Sequence, residues 1–170
     1  MSDTISKLVI RPAIPEDADA IAGMAQALSR ADGGRASRFS AGAFLRDGFG
    51  DAAAFQTMVA NRNGTVAGYA IYYWGYDTDS ATRGVYLADL YVSEAHRRAG
   101  VGTALISETA RFARANSARW IFWSVLKSNR GARRFYRQLA PELKDVIICA
   151  AFGAGFDTIA DRQASFRRLD

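Results

Sequence analysis

The sequence holds one cysteine and one histidine among 170 residues. A single thiol, Cys149, cannot close an internal disulfide and suits a reducing cytoplasm. With His96 it falls short of the usual zinc ligand set, so no metal is expected. Long apolar runs are also missing: the longest are strand-length, which excludes a membrane span. The opening Met1-Ser2-Asp3-Thr4 lacks the basic-then-apolar pattern of a secretory leader, and a cytoplasmic location is expected. No repeat, low-complexity tract or Pro/Gly/Ser linker divides the chain, which reads as one domain over residues 1–170. That length can bury a core. Cys149 lies in Val146-Ile147-Ile148-Cys149-Ala150, where a buried strand thiol is expected rather than a nucleophile.

What is present in excess is positive charge, +5 net. It gathers in Arg97-Arg98, in Arg130, Arg133, Arg134 and Arg137, and in Arg167-Arg168. No zinc-finger, helix-turn-helix or RNA-recognition pattern accompanies it, so nucleic acid is not the expected partner. A small polyphosphate ligand accounts for the excess, given where the arginines fall.

Local patterns place the elements. Lys7 to Arg11 reads as a strand, and Pro15-Glu16-Asp17 as an acidic helix start before Ile21, Met24, Ala25 and Leu28 at helical spacing. Ser29 to Ser40 is a loop and Ala41 to Asp47 a short helix. Phe55 to Ala60 and Val66 to Trp74 form a hairpin across Asn61-Arg62-Asn63-Gly64. Tyr76 to Gly84 reads as a polar loop, Gly102 to Ala115 as a helix, and Trp120 to Val125 as a strand. The expected class is α+β, with mostly antiparallel strands and helices on both faces.

The richest stretch follows the strand Val85 to Val92. The turn Arg97-Arg98-Ala99-Gly100-Val101-Gly102-Thr103 opens a helix, whose N-terminal dipole and two arginines favour an anion. Two glycines let the backbone come close to it. A mononucleotide P-loop needs Gly-Lys-Ser/Thr, and Gly102 is followed by Thr103-Ala104. A dinucleotide turn needs a third Gly or Ala where Leu105 stands. Downstream, Asn129 sits at an N-cap, and Ala132, Phe135 and Tyr136 share one helical face.

Arg97, Gly100 and Gly102 as Arg-x-x-Gly-x-Gly resemble the coenzyme A pyrophosphate loop of the GCN5-related N-acetyltransferases (GNAT). Asn129 to Tyr136 is similar to that family's Asn-x-x-Ala-x-x-Phe-Tyr segment. Asp47 to Gly50, Val66 to Tyr73 and Tyr86 to Val92 resemble consecutive stretches of its spermidine/spermine (diamine) branch. The resemblance implies a GNAT fold with a splayed central strand and an acetyl-coenzyme A-dependent N-acetyltransferase. Coenzyme would contact Leu90, Tyr91, Val92, Arg97, Arg98, Ala99, Gly100, Val101, Gly102, Thr103, Asn129, Ala132, Phe135 and Tyr136. It also implies attack by a neutral amine within a ternary complex, an oxyanion held by a backbone N–H near Leu90 to Val92, and Tyr136 as general acid.

The branch carries Glu-Asp where this chain has Ala88-Asp89. In a regular strand Asp89 points to the opposite face from residue 88; it serves as the catalytic carboxylate only if a bulge re-aims it, and the alternative base is a water chain ending at another polar group. Asp32, Asp77 and Asp79 are the carboxylates expected to hold an ammonium group. Arg83 could meet the carboxylate of an amino-acid-like amine. The expected acceptor is a small primary amine rather than spermine. The resemblance further implies a homodimer paired through its C-terminal strands, here the strand-like Ala164 to Leu169. The alternatives are a non-catalytic acyl-coenzyme A sensor and a protein or peptide N-acetyltransferase.

Overall fold

The computed structural model of the protein describes residues 8–34 and 36–162. The chain falls into two compact units, Met1–Arg130 and Gly131–Asp170. In the first, one sheet runs in sequence order through β1 (Leu8–Pro12), β2 (Gln56–Arg62), β3 (Thr65–Asp77), β4 (Thr82–Val92) and β5 (Ala118–Trp123). Neighbours from β1 to β4 are antiparallel, whereas β5 is parallel to β4. A parallel neighbour needs a crossover. It is supplied by α3 (Val101–Ala115), which follows β4; α1 (Ala18–Ala31) and α2 (Ala41–Asp47) lie between β1 and β2 in the chain. The fold is α+β.

Each helix buries the stripe its spacing dictates. Ile21 and Ala25 of α1 and Phe44 of α2 pack with Val59, Tyr69 and Ile71 from the sheet. Leu105, Ile106, Thr109 and Ala113 are the buried row of α3, and Phe112 meets Tyr72 with ring centroids 6.4 Å apart. Thr109 would bring an unpaired hydroxyl into that row, but its Oγ1 donates to the Leu105 carbonyl at 2.9 Å. The β2–β3 hairpin closes on Asn63 and Gly64, both at positive φ (52° and 83°), the left-handed pair that matches strand twist.

Two expectations need correction. Tyr76 to Gly84 is not one loop: β3 runs to Asp77 and β4 starts at Thr82, leaving a short hairpin turn. Gly75 and Gly84 are paired strand positions, and the Trp120 indole from β5 lies where their Cβ atoms would be. Glycines that look like loop residues are strand residues under a neighbour's large ring. Second, Cys149 is exposed, and residues 146–150 form no strand. A β-branched run makes a strand only against a half-buried pleated surface, and among the described residues no strand pairs with it.

The second unit holds most of α4 (Arg130–Tyr136) and all of α5 (Ala154–Ala160). Arg133 and Arg137 both grip Glu142, at 2.8 and 3.1 Å, and tie the chain after α4 back to it. The Arg133 and Arg137 bonds, with both charges, hold the Glu142 carboxyl down to about 2. The strand-like 164–169 segment and Lys7 lie outside the described residues. No helix among the described residues is long and apolar enough to cross a membrane.

At the start of α1 a buried ion pair anchors the first strand. Arg11 donates to Asp17 through both terminal nitrogens, at 2.7 and 2.9 Å, and the Ile14 N–H donates to the same carboxylate at 2.8 Å. Burial alone would push Asp17 up, but the Arg11 bond, the Ile14 N–H and the Arg11 charge together leave it below its ordinary value. Asp17→Ala strands the arginine and should cost about 3 kcal/mol. For a chain of this size that lowers Tm by roughly 6–12 °C. The wild-type advantage should be full above the ordinary aspartate range and fade as pH falls through the lowered value, as read by thermal melts against pH. An undiminished Tm at pH 7 would contradict the anchoring role.

Candidate active site

Between β4 and α3 the backbone makes a strained, anion-ready turn. Arg97 closes a short 3-10 turn (Glu94–His96), Arg98 takes a left-handed φ of 60°, and Gly100 takes φ 76° as the N-cap of α3. Gly100 adopts this geometry without a Cβ penalty, whereas Arg98 does so against its preference. The first-turn N–H groups, at Val101, Gly102 and Thr103, have no carbonyl within the helix to bond. They point out of the helix end with the positive pole of its dipole. The two arginines divide their work. Arg97 donates from Nε to the Val92 carbonyl at 3.0 Å and lies 5.6 Å over the Tyr91 ring. Arg98 is exposed beside the helix end.

β4 carries one residue too many. Ile71 faces Asp89 and the next residue, Tyr72, faces Leu87, so Ala88 has no partner on β3. This bulge changes which side chains share a face. Tyr86 and Asp89 are three positions apart, which in a regular strand puts them on opposite faces. Opposite β3, whose Ile71 and Tyr73 stay on one face, Asp89 and Tyr86 come to the same side. Pairing with β5 stops at Leu87 against Trp123. On that edge, Ala88 to Val92 have no strand partner among the described residues, and the Val92 carbonyl takes the Arg97 bond instead.

Asp89 faces the α1 and α2 side. Its Oδ2 accepts from the Tyr69 hydroxyl at 3.2 Å. Burial raises its pKa above the ordinary value, the Tyr69 bond pulls it down, and the charge of Asp32 pushes it up again. Asp32 caps the C-terminal end of α1, and the Asn129 amide reaches it at 3.4 Å. Two carboxylates therefore share one neighbourhood, and among the described residues no arginine or lysine acts on Asp89. Such a pair attracts a cation and can take a proton. Beyond Asp89 on the same face, Tyr73, Tyr86 and Phe122 form a ring ladder with centroid spacings of 5.1 and 5.7 Å.

The other sequence candidates lie elsewhere. Asp77 ends β3 and Asp79 sits in the turn after it, where the Ser80 hydroxyl and the Asp79 and Ser80 N–H groups bond the Asp77 carboxylate and hold it below its ordinary value. Asp77 is six residues along β3 from Ile71, which faces Asp89, or about 20 Å at strand rise. Arg83 is exposed next to the same turn. Ala132, Phe135 and Tyr136 belong to α4, where the Phe135 and Tyr136 rings lie 5.1 Å apart. Among the described residues no cluster of metal-ligating side chains occurs. Sequence reasoning passed over Tyr69 and the aromatic ladder. The only signal for Tyr69 was a phenol in an apolar run, Val66 to Ile71, where phenylalanine would fill the space.

Known proteins match this arrangement. The model of the acetyltransferase (GNAT) family matches residues 23–140. The thialysine N-epsilon-acetyltransferase of Mus musculus is 32% identical over 113 residues, which cover 62% of this chain and 66% of that protein. The match thus spans a little under two thirds of that relative's length. Among solved structures, an integron cassette protein from the V. cholerae mobile metagenome superposes with a TM-score of 0.77 at 20% identity, over 91% of this chain and 98% of its own. An aminoglycoside N-acetyltransferase in complex with coenzyme A gives a TM-score of 0.73 at 18% identity, over 89% and 99%. At such identities both show the shared fold.

Burying Asp89 without a cation carries a stability consequence. Its folded pKa is above the unfolded one, so the ionised form is disfavoured by folding once pH exceeds the ordinary aspartate range. Asp89→Asn keeps an oxygen for Tyr69 and removes that charge. Its Tm at pH 7 should be unchanged or higher by about 2–4 °C, with the difference vanishing at acid pH. A lower Tm at neutral pH would contradict this account of Asp89.

Proposed function

The chain belongs to the acetyltransferase (GNAT) family, and from that premise we propose that it is an acetyl-coenzyme A-dependent N-acetyltransferase acting on a small primary amine. The observation that carries the reading is the junction of the strained turn at Arg98–Gly100 with a central strand whose bulge re-aims Asp89 and whose pairing with β5 stops at Leu87. The helix end and Arg98 suit the pyrophosphate of the co-substrate, and the open edge of β4 suits its pantetheine arm. Arg97, tied to Val92 and Tyr91, shapes the turn rather than reaching outward.

Asp89 and Asp32 would hold the acceptor as an ammonium ion. A raised pKa brings Asp89 closer to a working base than an ordinary aspartate. It takes one proton from the ammonium, the freed amine nitrogen bonds to the thioester carbonyl carbon, the carbon–sulfur bond breaks, and the second nitrogen proton leaves to water as the amide forms. Backbone N–H groups near Leu90 to Val92 are the proposed donors to the oxyanion. Tyr136 is the proposed donor to the departing thiolate, on the strength of the Asn129 to Tyr136 motif alone. No covalent enzyme intermediate is required.

The acceptor surface is less acidic than a polycation would need. Ala88 has no charge, the neighbouring floor is aromatic, and the Asp77 carboxylate is bonded within its own turn. A monoamine or amino-acid-like amine fits better than a polyamine. Ala88 also favours a second reading, a coenzyme-binding sensor without turnover. Thiol release from acetyl-coenzyme A across diamines, polyamines, amino acids and aminoglycosides separates them. Release with a monoamine or amino acid is expected, none at all would leave the sensor, and spermidine as the best substrate would overturn the acceptor class.

Two variants separate binding from chemistry. Gly100→Val puts a β-branched residue at φ 76° and should abolish coenzyme binding by calorimetry while circular dichroism stays native. Tyr136→Phe should retain binding and lose about 10²–10⁴-fold in turnover. Undisturbed binding in the first, or undisturbed turnover in the second with chemistry rate-limiting, would remove that residue from the reading. A homodimer belongs to the same proposal. Val146, Ile147, Ile148 and Phe152 stand 53–87% exposed, an apolar stretch that a second copy could cover. Sedimentation at micromolar concentration should show the dimer mass, and a monomer alone would refute it.

A further inference from the structure

We propose that Tyr69 is a positioning residue for the transfer: its buried hydroxyl fixes Asp89 through Oδ2 and leaves Oδ1 turned to the acceptor amine. The inference rests on the N-acetyltransferase reading above and extends it to a residue that never touches substrate. Tyr69 has no exposed surface and packs with Ile21, Phe44 and Val59. A phenol in such a place must find a partner, and a phenylalanine would have filled the same space without that demand. The partner is Asp89, at 3.2 Å, from a residue two positions along β3 from the one facing Asp89. The bulge is what makes this contact possible: with Ala88 paired to Ile71 in a regular ladder, Asp89 would fall opposite Ala70 on the other face.

The donor can act in one direction only. Burial first, then the charge and hydrogen bond of Asp89, push the Tyr69 hydroxyl far above its ordinary value, so it remains protonated and donates. Asp89 then receives one fixed bond and two opposing influences, burial and the charge of Asp32. The groups around it are Tyr69 from β3, Tyr91 on its own strand with its ring 6.4 Å from that of Tyr69, and Asp32 from the end of α1, itself bonded to the Asn129 amide. Arg97 lies over the Tyr91 ring, and no ion pair reaches Asp89 among the described residues. Tyr69 is thus the one group in direct contact that favours the ionised base.

The test compares wild type with Tyr69→Phe in the full chain. In the protein without substrate, the Asp89 carboxyl carbon is titrated by NMR. Loss of the hydroxyl should move its midpoint up by about one unit, tenfold in the ionisation equilibrium. With the best amine from the panel, the acid limb of kcat/KM should move up equally, and kcat should fall about tenfold with little change in coenzyme affinity. Fluorotyrosine at position 69 keeps the packing and strengthens the donor, so it should move both readings down even if the phenylalanine variant folds poorly. An Asp89 midpoint unaffected by either change would overturn the proposal. So would a midpoint that moves while the acid limb stays in place. If wild type acetylates no amine, the enzymatic reading fails and the positioning role falls with it, whatever the titration shows.

Discussion

One extra residue in one strand governs the site. Ala88 bulges out of β4 just past the point where pairing with β5 stops. Parity flips, so that Asp89 joins Tyr69, Ile71, Tyr73 and Tyr86 on one face. The ladder to β5 ends at Leu87, and among the described residues the last five residues of β4 have no strand partner on that edge. That edge leads into the turn where Arg98 and Gly100 take left-handed conformations. A regular β4, with Ala88 opposite Ile71, would have put Asp89 opposite Ala70 on the other face. Bulges commonly re-aim side chains near functional sites.

Two aspartates, Asp17 buried and Asp89 half-buried, show how the fold assigns different work to one residue type. Both are penalised by burial. Asp17 is repaid by a bidentate arginine and a backbone N–H, so it stays ionised and serves as an anchor for β1 and α1. Asp89 receives a phenol and faces a second carboxylate, which leaves it less willing to be charged. The contrast is one of partners. An arginine in place of Tyr69 would hold Asp89 permanently ionised and unable to accept a proton near neutral pH.

The parts of this fold that depend on short-range spacing were legible in the sequence. The α3 stripe at Leu105, Ile106 and Thr109, the Asn63-Gly64 hairpin and the glycine turn at Gly100 all carry their reason within a few residues. The rest depends on what lies across the sheet. A bulge is a relation between two strands, and nothing in Leu87-Ala88-Asp89 announces which residue goes unpaired. Gly75 and Gly84 are compatible with a loop until Trp120 is known to lie over them. Val146 to Ala150 has strand composition, yet finds no strand partner among the described residues. The candidate site divides along the same line: its anion turn could be read from spacing, whereas the Tyr69–Asp89 and Asp32–Asn129 contacts join positions far apart in the chain.

The arginines argue for economy of a similar kind. A net charge of +5 suggests a diffuse cationic surface, but several of these side chains are committed within the protein. Arg11 holds Asp17, Arg97 holds the Val92 carbonyl, Arg111 holds Glu108, and Arg133 with Arg137 holds Glu142. Of those bonds, the one from Arg97 to the Val92 carbonyl fixes the backbone beside the proposed ligand turn. Arg98 differs in taking a left-handed backbone conformation that its side chain disfavours. Strain of that sort persists only where neighbouring structure imposes it. Arg97, bonded back to the end of β4, and Gly100, capping α3, impose it from both sides. The turn is therefore held in shape before any ligand arrives, and an anion that binds there need not bear the cost of ordering it.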